Sequence, residues 1–162
     1  APKEEKKIPQ LLEILKNYDA ALVVDAGMPL ISDPGYKLVK ACLENNIQIE
    51  VLPGPTAFLT ALIGSGLPTD KFLFLGFLPK KGLENYFSKI KELEVTIVFY
   101  ESPKRLLKTL EIIKKVFGNC QVVIAREISK IYEEYLRGNI NEIIEKLENK
   151  KLKGEITIII RA

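Results

Sequence analysis

At 162 residues, with 47% apolar and 28% charged residues and a net charge of +3, the chain has the composition of a soluble globular protein. Such a chain can bury roughly 70% of its unfolded surface. It contains no histidine, which excludes a Ser-His-Asp triad, a Cys-His dyad and histidine-ligated zinc, and leaves Asp, Glu, Lys or Tyr as any general base. No apolar run approaches the roughly 20 residues of a membrane span and no secretory signal is visible, so a cytoplasmic protein is expected. Cys42 and Cys120 lack metal or redox spacing and read as small core residues.

In chain order, residues 1–7 are polar and predict a loose start, followed by a short helix over Pro9 to Asn17 with Leu11, Leu12 and Leu15 on one face. The β-branched run Ala20 to Val24 predicts a buried strand that runs into the loop Asp25-Ala-Gly-Met-Pro-Leu-Ile-Ser-Asp-Pro-Gly35. Loops at the carboxyl ends of strands are where open α/β sheets bind ligands. Gly27 permits a tight turn, and Ser32 or Asp33 is placed to cap a helix with Pro34 in its first turn. A helix from Tyr36 that ends at Asn45-Asn46, a strand Ile47 to Leu52 and the turn Pro53-Gly54-Pro55 follow. The helix from Thr56 to Ile63 is apolar nearly all round, which predicts burial on more than one side. Leu67 to Asp70 reads as a linker, giving domains 1–68 and 69–162.

The second half alternates strand Phe72 to Leu78, helix Leu83 to Leu93, strand Val95 to Tyr100, helix Pro103 to Phe117 and strand Gln121 to Arg126. Extended Ile131 to Leu136, helix Ile140 to Lys150 and strand Glu155 to Ile160 complete it, which is the pattern of an α/β fold. Cations gather at Lys80-Lys81, Lys104-Arg105, Lys114-Lys115 and Lys150-Lys151-x-Lys153, either as solvated helix ends or as phosphate contacts. Ser102 reads as a helix cap and Pro103 as the first helical residue, so Lys104 and Arg105 sit where the helix dipole disfavours them by a few tenths of a kcal/mol each. Either an ion pair with Glu101 or an anionic ligand would compensate. Arg126-Glu127 with Ser129-Lys130 places charges at another strand end.

Asp25-Ala-Gly-x-Pro-Leu-Ile-Ser-Asp-Pro-Gly35, Pro53-Gly-Pro-Thr-Ala57, Gly66-Leu-Pro68, Gly76-Phe-Leu-Pro79, Phe99-Tyr-Glu-Ser-Pro103 with Arg105, Ala125-Arg-Glu127 with Lys130, and Lys153-Gly-Glu155 occur in one order along the chain. Together they resemble the bacterial small-subunit (16S) rRNA 2′-O-ribose cytidine methyltransferases, a branch of the tetrapyrrole methylase superfamily. Met28 stands where that family usually has threonine. The family opens with a strand, a Pro-x-Gly-Asn-Leu type loop and a Glu-Asp-Thr-Arg segment that are not found here, so the chain resembles roughly its last two thirds.

The resemblance implies two α/β domains, the first truncated at its N-terminus, with S-adenosylmethionine in the cleft between them. It implies cofactor contacts from Asp25, Ala26, Gly27, Pro29, Ile31, Ser32, Pro34, Gly54, Pro55, Thr56 and Ala57. Gly76, Phe77, Tyr100 and Arg126 are candidates for a second wall by their place at strand ends. Glu101, Glu127 and Lys130 are candidates for removing the ribose hydroxyl proton, and Lys104, Arg105 and Arg126 for holding 16S rRNA phosphates. A truncated sheet edge would favour a homodimer. A small-molecule tetrapyrrole (precorrin-type) methylase, an inactive fragment of the rRNA enzyme and a non-catalytic binding module are the alternative readings.

Overall fold

Runs in which every second residue is apolar and β-branched put one set of side chains on each side of a sheet. Val122, Ile124, Ile158 and Ile160 form one such set and Val123, Ala125 and Ile159 the other. The computed structural model describes residues 2–148, 150 and 152–161, with side chains from residue 6 onward. Of the segments marked in the sequence, Ala1, Asn149 and Lys151 lie outside these. The chain forms two compact units, residues 1–56 and 57–162.

The first unit contains helix α1 (Pro2–Leu15), which packs against α2 (Tyr36–Glu44). The loose start expected over residues 1–7 is therefore helical from Pro2, a residue suited to a first helical position, and the helix continues through Pro9. The strands expected over 20–24 and 47–52 are not formed: neither segment enters a ladder among the described residues. A strand is completed by the hydrogen bonds of its neighbour, which residue pattern alone does not supply. Leu22, Val23, Val51 and Leu52 are exposed.

The second unit is built on a five-stranded mixed sheet of β1 (Phe72–Phe77), β2 (Thr96–Glu101), β3 (Gln121–Arg126), β4 (Glu134–Asn139) and β5 (Ile156–Arg161). Its order is β1-β2-β5-β3-β4, with β1 parallel to β2 and the other pairs antiparallel. Helices α4 (Leu83–Ile90), α5 (Leu106–Phe117) and α6 (Ile140–Glu148) cover one face, where Phe87, Leu110, Ile113, Ile143 and Leu147 meet Phe99, Ile124 and Ile158. Helix α3 (Ala57–Ser65) covers the other through Ala61 and Leu62.

Two expectations change here. Helix α3, which the sequence placed before a domain break near Pro68, packs on the sheet of the second unit. It buries one side only, since Ile63 is 75% exposed. The close fit of α3 depends on Gly64, where a Cβ would overlap the Tyr135 ring on β4. Arg137 lies 4.7 Å over that ring and donates to the Gly64 carbonyl at the helix end. A cation there also complements the negative end of the helix dipole. Cys42 and Cys120 are buried free thiols, and burial pushes the Cys120 thiol up to about 11, so it stays protonated.

Candidate functional site

In the first unit the loop from Asp25 to Gly35 is held in an unusual backbone form. Gly27, Leu30, Ser32 and Gly35 have φ of 76°, 69°, 64° and 130°. For the non-glycine residues Leu30 and Ser32 this region costs roughly 1–2 kcal/mol each. Strain of this kind persists where surrounding structure imposes it, and it concentrates at ligand sites. The loop lies against the turn at 53–55: a Cβ on Gly27 would meet the Pro55 carbonyl at 3.5 Å, and one on Gly54 would meet the Met28 side chain at 3.3 Å. The structure thus brings Asp25, Ala26, Gly27, Pro29, Ile31, Ser32 and Pro34 onto one loop beside Gly54 and Pro55. Thr56, which ends this unit, is buried, and Ala57 opens α3. The side-chain cap expected from Ser32 or Asp33 is not made: α2 starts after Gly35, whose φ of 130° turns the chain away from a Ser or Asp cap geometry.

In the second unit Gly76, at φ 61°, sits where the β1–β2 register slips between Phe74 and Phe77. The bulge sets Phe77 opposite Tyr100, with ring centroids 5.2 Å apart. Phe74 lies 5.2 Å from Tyr100 and stacks on Phe58 at 4.1 Å. The two aromatic residues expected to form a wall are therefore joined in one cluster, and Phe77, 69% exposed, presents an open face.

Glu101 ends β2 as a buried carboxylate, 4% exposed. Its Oε1 accepts from the Ser102 backbone N–H at 2.7 Å and its Oε2 from the Thr109 hydroxyl at 2.7 Å. Arg105 Nε stands 3.4 Å from Oε1, so the ion pair weighed in the sequence reading is present. The same guanidinium donates to the carbonyls of Leu78 and Pro79, at 3.2 and 2.9 Å, and locks the end of β1 to the start of α5. Helix α5 begins at Leu106 rather than Pro103: residues 103–105 form a turn, and the Arg105 amide and the first helical amide, Leu106, both bond the Ser102 carbonyl. Lys104 is exposed and has no ion pair among the described residues.

Glu127 and Lys130 close a clasp with the segment before β5. Glu127 Oε1 accepts from the Glu155 N–H at 2.8 Å and from Lys130 at 3.2 Å, while Lys130 also reaches Glu155 at 2.9 Å. The Glu155 amide and then the Lys130 ammonium hold the Glu127 carboxyl below its ordinary 4.5. Hydrogen bonds to Glu155 and Glu127 raise Lys130 above its ordinary 10.5, which keeps it an ammonium at neutral pH. Arg126 donates to Glu134 at 3.1 Å and to the Lys153 carbonyl at 3.3 Å.

One grouping escaped the sequence reading. Lys80 and Lys81, after β1, share a cavity of about 450 Å3 with Arg105 and Lys108 of the α5 start. The Lys80-Lys81 pair was a visible signal, but Lys108 carried none, because only the lock at Arg105 brings the two segments together.

The family model of tetrapyrrole (corrin/porphyrin) methylases matches residues 2–144. The ribosomal RNA small subunit methyltransferase I of Hydrogenobaculum sp. (strain Y04AAS1) is 48% identical over 98% of this chain and 70% of its own length. Proteins of the same name from Thermotoga maritima and Rickettsia prowazekii are 44% and 49% identical, over 96% and 86% of this chain and 71% and 51% of their own lengths. Among solved structures, the methyltransferase CobJ superposes with a TM-score of 0.68 at 19% identity, covering 96% of this chain and 70% of that one. The uroporphyrin-III C-methyl transferase of Thermus thermophilus, complexed with S-adenosyl homocysteine, gives 0.62 at 17% identity, covering 97% and 73%. A fold shared at this level and a family match that runs from α1 into α6 agree: the chain belongs to the tetrapyrrole (corrin/porphyrin) methylases.

Proposed function

We propose that this chain acts in S-adenosylmethionine-dependent 2′-O-methylation of a cytidine ribose in 16S rRNA of the small ribosomal subunit. The observation that carries the reading is 48% identity, over 98% of the chain, to a small-subunit rRNA methyltransferase. The two α/β domains of that enzyme type, a homodimer and a cytoplasmic location belong to the same reading.

The residues present suit the cofactor. Loop 25–34 and turn 53–55 approach so closely that a side chain at Gly27 or Gly54 would enter the gap. Their backbone amides and carbonyls can read an adenine and an amino acid end, and the exposed Asp25 carboxylate can accept from a ribose diol or an ammonium. Asp25, Ala26, Gly27, Pro29, Ile31, Ser32, Pro34, Gly54, Pro55, Thr56 and Ala57 would hold the cofactor, and Phe77 and Tyr100 offer an aromatic surface. When bound, S-adenosylmethionine supplies a methyl group already activated on a sulfonium.

The remaining work for the protein is to orient the ribose and take up the hydroxyl proton. Of the three candidates, Glu101 and Glu127 retain carboxylate lone pairs that can accept it, and Lys130, an ammonium, suits a phosphate better than a proton. Lys104, Arg105 and Arg126 are proposed to hold RNA phosphates. Glu101→Gln discriminates, because the amide oxygen can keep the Ser102 bond while its NH2 faces the Thr109 oxygen. Turnover that falls with cofactor affinity and folding intact assigns the proton to Glu101; unchanged turnover removes it.

Calorimetric titration of S-adenosylmethionine and S-adenosylhomocysteine into this chain tests the cofactor assignment, with binding in the micromolar range expected, about 8 kcal/mol. Small ribosomal subunits and a tetrapyrrole are then offered as methyl acceptors. Methylation of the tetrapyrrole alone would sink the RNA reading.

A further inference from the structure

The cleft between the end of β1 and the start of α5, lined by none of the cofactor-loop residues, has the makings of an anion site. Lys80, Lys81, Arg105 and Lys108 line it, together with Gly82 and Leu83 at the start of α4, and no carboxylate does. On the same unit Lys115, Lys130 and Lys150 each pair with a carboxylate within 3.2 Å. Lys80, Lys81 and Lys108 pair with none among the described residues. Glu84, in the first turn of α4, is held 2.9 Å from Lys115.

Three further observations point the same way. Helix α5 has no acidic residue in its first turn, yet carries Arg105 and Lys108 at the end where its dipole repels cations. Arg105 is compensated by Glu101 and two carbonyls; Lys108 is not. Helix α4 follows Gly82, at φ 72°, without a side-chain cap, so its first-turn amides make no side-chain cap bond among the described residues. Finally, the Arg105 bonds to Leu78 and Pro79 fix the spacing between the two basic segments, so the charges are held together before any ligand arrives.

We propose that this cleft binds the phosphodiester backbone of an RNA strand, with Lys80, Lys81 and Lys108 as its charge contacts and the α4 amides as donors. The proposal rests on the RNA methyltransferase reading and adds to it a second anchoring point. The cleft measures about 450 Å3.

The test is fluorescence anisotropy of a labelled single-stranded RNA of about 20 nucleotides across a salt series, because each phosphate contact on a single strand adds about 0.7 to the slope of log affinity against log salt. For Lys80→Ala/Lys81→Ala/Lys108→Ala the slope is expected to fall by about 2 and the affinity by about tenfold or more at 0.1 M salt. S-adenosylhomocysteine affinity should stay at the parent value. The charge-matched control Lys89→Ala/Lys114→Ala/Lys146→Ala removes three lysines from helix ends away from the cleft. An unchanged slope in the cleft variant, or an equal loss in the control, overturns the proposal. So does inorganic phosphate at millimolar concentration displacing the RNA completely from the parent but not from the cleft variant, which would mark a small-anion site. A parent that binds S-adenosylhomocysteine but no RNA overturns the cleft; one that binds RNA through the cleft but no S-adenosylhomocysteine upholds it and sinks the methyltransferase reading.

Discussion

Single residues carry much of the local geometry, and the glycines show it most directly. A Cβ on Gly154, at φ 91°, would overlap the Glu127 carboxylate that accepts the Glu155 amide. A Cβ on Gly64 would overlap the Tyr135 ring instead, a rigid neighbour that also carries Arg137. Gly64→Ala is therefore expected to push α3 off the sheet and cost about 1–3 kcal/mol, the usual range for overpacking. Chemical denaturation of the variant against the parent measures this, and a loss under about 0.5 kcal/mol would show that the contact yields freely. The motif around Gly154 was visible in the sequence, whereas Gly64 gave no signal beyond following the expected helix Thr56 to Ile63, because the ring it accommodates comes from β4.

At the scale of elements, the Glu101–Arg105 lock joins three of them: the end of β1, the end of β2 and the start of α5. Glu101→Ala would leave the Thr109 hydroxyl, buried at 1% exposure, and the Ser102 amide without their acceptor. We expect it to destabilise the protein by about 3 kcal/mol, against about 1 kcal/mol for Glu101→Gln. Combined with Arg105→Ala, the Glu101→Ala loss should be less than additive, since the two side chains share one network. Thermal or urea unfolding of the two singles and the double gives the coupling; strict additivity would show that Arg105 acts only on the β1 carbonyls. The sequence reading placed these residues at a strand end and weighed the ion pair, but the further bonds to Leu78 and Pro79 span 26 residues and more and leave no local pattern.

At the scale of the whole molecule, pH acts through carboxylates that the fold holds ionised. Glu127 is lowered by the Glu155 amide and by Lys130, and Glu134 by Lys150 and Arg126. A carboxyl depressed on folding stabilises the native state above its unfolded value and loses that contribution as pH falls through the folded one. Lys130, raised on folding, contributes below its ordinary 10.5 and loses its contribution as pH rises through the folded value. Stability is thus expected to drop as pH falls below about 4.5, and the difference between parent and Glu127→Gln should shrink over the same range. Urea midpoints of both proteins through the acid range check this; parallel pH profiles would remove Glu127 from the acid limb.

What the sequence by itself determined is the order and kind of the second unit's elements and the residues of the two conspicuous loops. Period-2 runs such as Val122 to Ala125 and Ile156 to Ile160 carry their own two-faced pattern, and glycine, proline and aspartate mark loops through their own dihedral preferences. Only the tertiary structure decided which strands pair, that β1 runs parallel to its neighbour β2, that segments 20–24 and 47–52 join no ladder among the described residues, and that Lys80, Lys81 and Lys108 line one cleft. The physical reason is common to all four. Each depends on a partner distant along the chain, a strand edge or a guanidinium bond, and a residue's own side chain and near neighbours hold no record of which distant group will satisfy it.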